Sequence, residues 1–560
     1  MIIVGALVEW TATGVDPVDG GVAIWQDGAF RFAMAEERAT RIKYAGGFRS
    51  SLSRGLAAIN AKIADVDRFC FASYAEPRAI DSGHIVRQAP ELLPLQDRIT
   101  IAPSHHELHA LYGFRHSPFN NALIAVLDNE GMVLGPQLDP KPFSNAMERC
   151  SYFIGGPNGI DLLTRDLYSR SDVSLGEAFR RFNYYCGFPS HQHSGKTMAL
   201  AAYGNPERFK GLSLFCQVGG RVRVDLDGSI EPPGRSVEMF FERSGVKVAP
   251  SREPEGEMHQ DHLDGAAFVQ LEVEKFLLTR LASILSETGM RALVLCGGVA
   301  YNCRMVGLIE RELGVPVFVP PSPGDQGICI GAVQAWLEMI GYRQHVVPTS
   351  YLGGEPGTAD VLNGHPIPAG IERISLLIDA GMHVAKYLDR GHVVALVEGA
   401  SEFGRRALGH RSLLAVPDKP LLDRLRRIKQ REWFRPFGIS LLASMATRCF
   451  GNQSPDPYML RATLLRPGTS EDLETVAHAD RTIRAQQIDD SDPGLLAATL
   501  RELARLGRAP ALVNTSLNRA GEPLVETFAE AFDLFLGVSD IDVLVHADAK
   551  VAYVRTACGS

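Results

Sequence analysis

Residues 265–298 constrain the fold most. GAAFVQLEVEKFLLTRLASILSE (265–287) places Phe268, Leu271, Leu277, Leu281 and Ile284 near one face of a helix. The helix feeds ALVLCGG (292–298), a short apolar run that reads as a buried strand and ends in paired glycines. VPVFVPP (315–321) reads as a second strand, and GDQGICIGAVQAWLEMI (324–340) resumes helix. Strand, glycine turn and helix in alternation indicate an α/β architecture. The N-terminus differs. IIVGALVEW (2–10) and GGVAIWQDGAFRFAMAEERATR (20–41) read as an antiparallel meander with a tight turn at Asp27-Gly28, and NALIAVLDNEGM (121–132) begins a similar unit.

A chain of 560 residues is too long for one core. A Pro-, Gly- and Thr-rich stretch over 345–375 marks a domain connection, giving expected domains 1–347 and 348–560. The stretch 204–264 is polar and reads as poorly structured. A net charge of −8 argues against a nucleic-acid partner bound through a broad basic surface. Nine cysteines without a CxxC pair suit a reduced, cytoplasmic protein, and no apolar run approaches a bilayer-spanning length.

SHHELHA (104–110) follows a short strand, RITIAP. With Ser104 as N-cap, His105 and His109 fall four residues apart on one helix face while His106 points elsewhere. Such a pair can bind a divalent ion if a third ligand comes from elsewhere, or it is simply a hydrated helix start. Asp325 in PPSPGDQG (320–327) is either that ligand or a helix cap. LCGGVAYN (295–302) is either an anion-binding turn or an ordinary strand–helix turn. A basic band covers EFGRRALGHRS (402–412) and RRIKQREWFRPFG (426–438), with aromatics between the cations. A solvated helix face would explain a charge run, but Arg435 before Pro436 belongs to structured, non-helical chain. Arginine there suits a small polyanion. HADRTIRAQ (478–486) has the strand period, with His478, Asp480, Thr482, Arg484 and Gln486 on one face. NTSLNRAGEP (514–523) offers loop donors or an ordinary Asx turn.

Taken in order, AEERATRIK, HHELHA, SGKTMALAAYG, LCGGVAYNC, PPSPGDQG, EFGRRALGHRS, IKQREWFRPF, HADRTIRAQ and NTSLNRAGEP resemble the NodU/CmcH-type O-carbamoyltransferases along nearly the whole chain. The resemblance implies a two-lobed actin/heat-shock-ATPase-like domain fused to a YrdC-like α/β domain. It implies that the C-terminal domain uses ATP and carbamoyl phosphate as co-substrates to form carbamoyl-adenylate. The carbamoyl group then passes, at a divalent-metal (Fe²⁺-type) site in the N-terminal domain, to an alcohol of an antibiotic-type natural product, with Mg²⁺ accompanying ATP. Carried over residue by residue, His105, His109 and Asp325 are metal ligands. Asp128, Lys196, Gly297, Gly298, Asn302, Lys429 and Ser516 belong with the nucleotide, and Asp128 lies near the metal as well. Arg411, Asn514 and Asn518 belong with carbamoyl phosphate, and Asp19, Arg406, Arg435 and Arg484 are catalytic. The implied partner is a small-molecule alcohol, with no nucleic acid and no membrane; a homodimer is compatible with it.

Three departures stand out. Val18 occupies the position of the family's first-meander histidine, so that Asp19, Glu9, His191 or His193 acts as base, the acceptor is activated differently, or activity is weakened. HQHSGK (191–196) replaces an acidic pair by His191 and His193. Arg405 and His410 replace a proline and an asparagine. Two rival readings remain at this stage: a fused tRNA threonylcarbamoylation enzyme, which would depend on bicarbonate and threonine, and a non-catalytic nucleotide-gated module.

Overall fold

The structure, a computed structural model, describes residues 1–7, 19–72, 81–102, 104–132, 147–166, 173–218, 221–360, 366–451, 453 and 455–556. Glu9 and Val18 lie outside the described residues, as does the side chain of His191. The chain forms two compact units, Met1–Ala29 with Lys62–Pro348 and Phe30–Ala61 with Thr349–Ser560.

The N-terminal unit contains one strand pattern twice. Strand β1 (Ile2–Leu7) pairs antiparallel with β2 (Gly21–Gln26) and parallel with β3 (Arg68–Ala72), which is followed in parallel by β4 (Ile99–Ile101). Strand β5 (Ala122–Leu127) pairs antiparallel with β6 (Cys150–Gly156), which turns into β7 (Gly159–Asp166). On its other side β5 lies parallel to β8 (Leu293–Cys296), and β8 to β9 (Val317–Phe318). A hairpin followed by two parallel strands, made once by each half, is the duplicated, two-lobed actin-like arrangement that the resemblance implies.

Helix α1 (His105–His116) precedes β5, and every one of its residues except Glu107 is buried. Helix α5 (Ile328–Met339) packs against α1 at backbone distance: a Cβ on Gly331 would run into the Leu108 carbonyl oxygen. The amphipathic segment read over 265–287 is the larger part of α4 (Gln260–Thr288), which ends at left-handed Gly289. The polar stretch 204–264 is structured where described. Helix α3 (Pro233–Arg243) buries Phe240 and Phe241, which meet Phe182 of α2 (Leu175–Tyr185), Phe209 and Phe268 in an aromatic cluster. A few large apolar side chains build a core that mean polarity conceals.

The C-terminal unit is a nine-stranded mixed sheet. Its strands are β10 (Ile371–Ser375), β11 (Val394–Val397), β12 (Arg411–Ala415), β13 (Gly438–Leu442), β14 (Ala462–Leu464), β15 (Thr482–Ile488), β16 (Ala511–Ser516), β17 (Val543–His546) and β18 (Val551–Arg555), in the order β10-β18-β17-β11-β12-β16-β13-β15-β14. Ala395, Leu413, Ile439 and Val513 point into one core with helices α7 (Lys419–Lys429) and α9 (Phe528–Gly537). Val394, Leu396, Leu414 and Leu512 point into the other, with α6 (Ala380–Asp389) and α8 (Leu495–Arg505). Helices cover both faces, so these strands read as unbroken apolar runs. Strand β15 begins at Thr482, so His478 and Asp480 lie in the turn before it rather than on the strand face read from the sequence.

The compact units differ from the sequence division in one respect. Phe30–Ala61 groups with the C-terminal unit, because its buried charges are satisfied there. Arg38 donates to the carbonyls of Glu402 and Gly404, and Arg41 to that of Pro523. No helix among the described residues is long and apolar enough to cross a membrane.

Candidate functional site

The N-terminal candidate site grows from the cap of α1. Ser104 Oγ accepts the Glu107 amide at 3.2 Å and starts the helix. Ser104 also donates to Glu148, a buried carboxylate that takes the His106 amide as well. One helical turn then brings His105 Nε2 and His109 Nε2 to 3.2 Å of each other. Asp325, at the loop end after β9, places Oδ1 3.3 Å from both. Asp128, immediately after β5, places Oδ2 3.2 Å from His109 and 3.9 Å from His105. His106 instead turns its Nδ1 to Ser151 Oγ at 2.8 Å.

The four donor atoms lie within 4.8 Å of one another. Metal bonds of about 2.0–2.2 Å put neighbouring ligand atoms about 3–3.5 Å apart, so the spacing fits a divalent ion. The chemistry fits as well. Two imidazole nitrogens facing each other beside two carboxylates require a positive charge between them. Burial opposes protonation of both rings, yet Asp128 and Asp325 outweigh it: His105 is pushed up to about 10, and His109 is raised too. Protons and a metal ion compete for such a site.

Asp128, which the resemblance places near both nucleotide and metal, stands with the two histidines and Asp325 in the group that could hold an ion. Its signal in the sequence is its place directly after an apolar strand, the carboxyl edge where α/β folds gather ligands. The glycine turn after β8 belongs to the same edge. Gly297 has φ +86°, and a Cβ on Gly298 would come within 3.2 Å of Asp128 Oδ1. Asp19 is buried in left-handed backbone, φ +62°, and accepts from Gln326 Nε2 at 3.2 Å, one residue from Asp325. Asn302 is corrected. It caps helix Cys303–Leu313 by accepting the Met305 amide and donates to Gln270, so its side chain serves the fold. Lys196 sits on helix Ser194–Leu200 with its ammonium 5.3 Å over the Phe188 ring.

In the C-terminal unit several cations of the basic band are committed to backbone carbonyls and loop side chains. Arg411 is fully buried and donates to the backbone carbonyls of Glu398, Gly399, His410, Gly354 and Glu526. This corrects its assignment to carbamoyl phosphate: its guanidinium is committed to holding the loops around β12. Arg411→Ala should accordingly lower the stability of this unit by about 3–5 kcal/mol, read as a shifted urea midpoint. Lys429 is committed in the same way, to Ser516 and Asn518, and Asn518 Nδ2 donates to Arg519 and Glu522. These residues shape the 516–522 loop. Asn514, Ser440 and Gln486 form a buried polar row across β16, β13 and β15: Asn514 donates to Ser440 at 2.8 Å, and Ser440 to Gln486 at 2.6 Å. Asn514 Oδ1 is left buried without a donor.

A second group of cations acts on Arg431, which sequence reading passed over. Burial first, then the charges of Arg435, Arg484 and Arg406, hold its guanidinium well below the usual arginine range. Its Nη2 is anchored to the Pro436 carbonyl at 2.7 Å, while its buried Nε has no acceptor among the described residues. Glu432 pairs with Arg435 at 3.1 Å and acts against the lowering at Arg431. A group of guanidiniums of this kind is chemically suited to a polyanion. The signal was present in the sequence as Lys429-x-Arg431 at a helix end.

A family model described as carbamoyltransferase N-terminus matches residues 93–334, and one described as carbamoyltransferase C-terminus matches residues 385–552. Nodulation protein NolNO of Sinorhizobium fredii is 28% identical over 94% of this chain and 78% of its own length. Uncharacterized protein sll1178 of Synechocystis is 30% identical over 79% of this chain and 74% of its own. Nodulation protein NolO of Bradyrhizobium diazoefficiens is 30% identical over 79% and 77%. Among solved structures, HypF of T. kodakarensis aligns over 62% of this chain and 48% of its own at 13% identity with a TM-score of 0.33, too slight a likeness to argue from. With both halves matched by models of one family and full-length relatives alongside, the chain belongs to the carbamoyltransferase family and is an enzyme of that class.

Proposed function

We propose that the enzyme is an O-carbamoyltransferase that activates carbamoyl phosphate with ATP in its C-terminal unit and passes the carbamoyl group to a small-molecule alcohol at the His105–His109–Asp128–Asp325 group. The observation that carries this reading is the His105–His109–Asp128–Asp325 group, whose ligand atoms lie within 4.8 Å of one another, and the charges of Arg406, Arg435 and Arg484 acting on Arg431 support the activation step. Carbamoyl phosphate and ATP are both polyanions, and bringing them together needs cations placed in advance. Water takes the phosphoryl group of carbamoyl phosphate as inorganic phosphate. The carbamate oxygen then attacks the α-phosphorus of ATP, and pyrophosphate leaves. At the N-terminal group the alcohol oxygen attacks the carbamoyl carbon and AMP leaves. A divalent ion held by the two histidines and two aspartates, Fe²⁺ by the resemblance, supplies polarisation of the carbamoyl oxygen when bound. Asp19, held by Gln326 beside that group, is the carboxylate placed to accept the alcohol's proton. A small natural product suits a chain of net charge −8 better than tRNA does.

The test is product stoichiometry. Pyrophosphate and inorganic phosphate should appear in equal amounts, and only when ATP and carbamoyl phosphate are both supplied. Release supported by bicarbonate and threonine instead would favour threonylcarbamoyl chemistry, and no release with any divalent metal would remove the activation step.

A further inference from the structure

The segment Glu36–Tyr44 precedes the two matched family regions, yet it packs within the C-terminal unit. Most of its charges are spent on the fold. Glu36 accepts the amides of Ser50 and Ser51. Arg38 donates to two carbonyls and pairs with Glu526 at 3.5 Å, and Arg41 pairs with Glu530 at 3.4 Å. These contacts fix the segment against the loop around Glu402–Gly404 and the chain at 523–530.

Lys43 is used differently. Arg41 and Tyr44 adopt left-handed backbone, φ +64° and +60°, which turns the chain after the short helix. The Lys43 ammonium lies 3.2 Å from Glu37 and 4.9 Å over the Tyr44 ring. Arg405, beside the predicted catalytic Arg406, brings its guanidinium to 5.7 Å from the same ring. The positive charge of Lys43 meets those of Arg38 and Arg405, and it is felt by Lys429 together with Arg431 and Arg435. Glu37, which pairs with Lys43, also accepts the Tyr44 amide. The side chains of Lys43 and Arg405 are partly exposed or exposed, so a solute can reach them.

We propose that Lys43 and Arg405, brought together on the Tyr44 ring, form an outer phosphate subsite of the polyanion site in the C-terminal unit, taking the end of a polyphosphate such as pyrophosphate. The inference rests on the ATP-activation reading above. It gives the AEERATRIK segment a role in substrate binding and gives a function to Arg405, which stands where the resembled family has proline. Lysine and arginine are matched to a terminal phosphate as a point charge and as a planar fork.

The test is calorimetric titration of the full chain with magnesium pyrophosphate. Lys43→Gln should weaken binding about tenfold and Arg405→Ala about fivefold, the loss expected for one charge-assisted contact each, whereas Lys43→Arg should stay close to the parent. Arg390→Gln, on another surface of the same unit, should bind as the parent does. If Lys43→Gln and Arg405→Ala, melting as the parent does, bind pyrophosphate with unchanged affinity, the subsite is wrong and the activation reading stands. Should Lys43→Gln fail to fold, Arg405→Ala decides by the same criterion. A parent protein that binds neither pyrophosphate nor ATP overturns both.

Discussion

Replacing His109 with alanine should strip the protein of its divalent ion and abolish carbamoyl transfer while leaving pyrophosphate release intact. His109 is the donor closest to Asp128, 3.2 Å from Oδ2, and it lies equally near His105 and Asp325. Its removal takes away a direct ligand, so affinity should fall beyond the ~10–100-fold seen when an outer partner of a ligand is lost. Elemental analysis after dialysis reads the metal, and transfer to an alcohol acceptor should drop by on the order of 10²–10³. Asp128→Asn makes the complementary case. If Asp128 is a donor, as its position among the histidines indicates, metal content falls with transfer. If it serves only the nucleotide, metal content stays.

Arg431→Ala should have the opposite profile: pyrophosphate release lost by on the order of 10²–10³, metal content unchanged. The guanidinium feels the charges of Arg406, Arg435 and Arg484, and its buried Nε has no acceptor among the described residues. Arg431→Lys should restore little, because an ammonium cannot reproduce a fork anchored at Pro436 and open at Nε. If Arg431→Ala instead lost metal, or His109→Ala lost pyrophosphate release, the division of labour between the two groups would be wrong.

Which parts were legible in the sequence follows from how local each constraint is. Ser104, His105 and His109 obey helix spacing and a helix cap, so seven residues sufficed to place them. Asp325 was legible only as one of two alternatives, since nothing local says which way a loop carboxylate faces. Asp128 needed the fold, because its value comes from β5 and β8 lying parallel with their carboxyl ends together. In the basic band the composition revealed the charge but not its direction. Arg411 starts a strand covered on both faces and is drawn into carbonyl contacts, while Arg431, just past the end of α7, feels the charges of Arg406, Arg435 and Arg484. The Phe30–Ala61 segment was misplaced for the plainest reason: Arg38 finds its acceptor 364 residues away in Glu402, beyond any periodicity.

The most direct test of the account is carbamoyl-phosphate-dependent exchange of labelled pyrophosphate into ATP, measured without an acceptor alcohol. Reversible formation of carbamoyl-adenylate predicts exchange in the parent protein and in His109→Ala, and none in Arg431→Ala. Carbamoyl transfer to an alcohol without any such exchange in the parent would contradict activation by ATP.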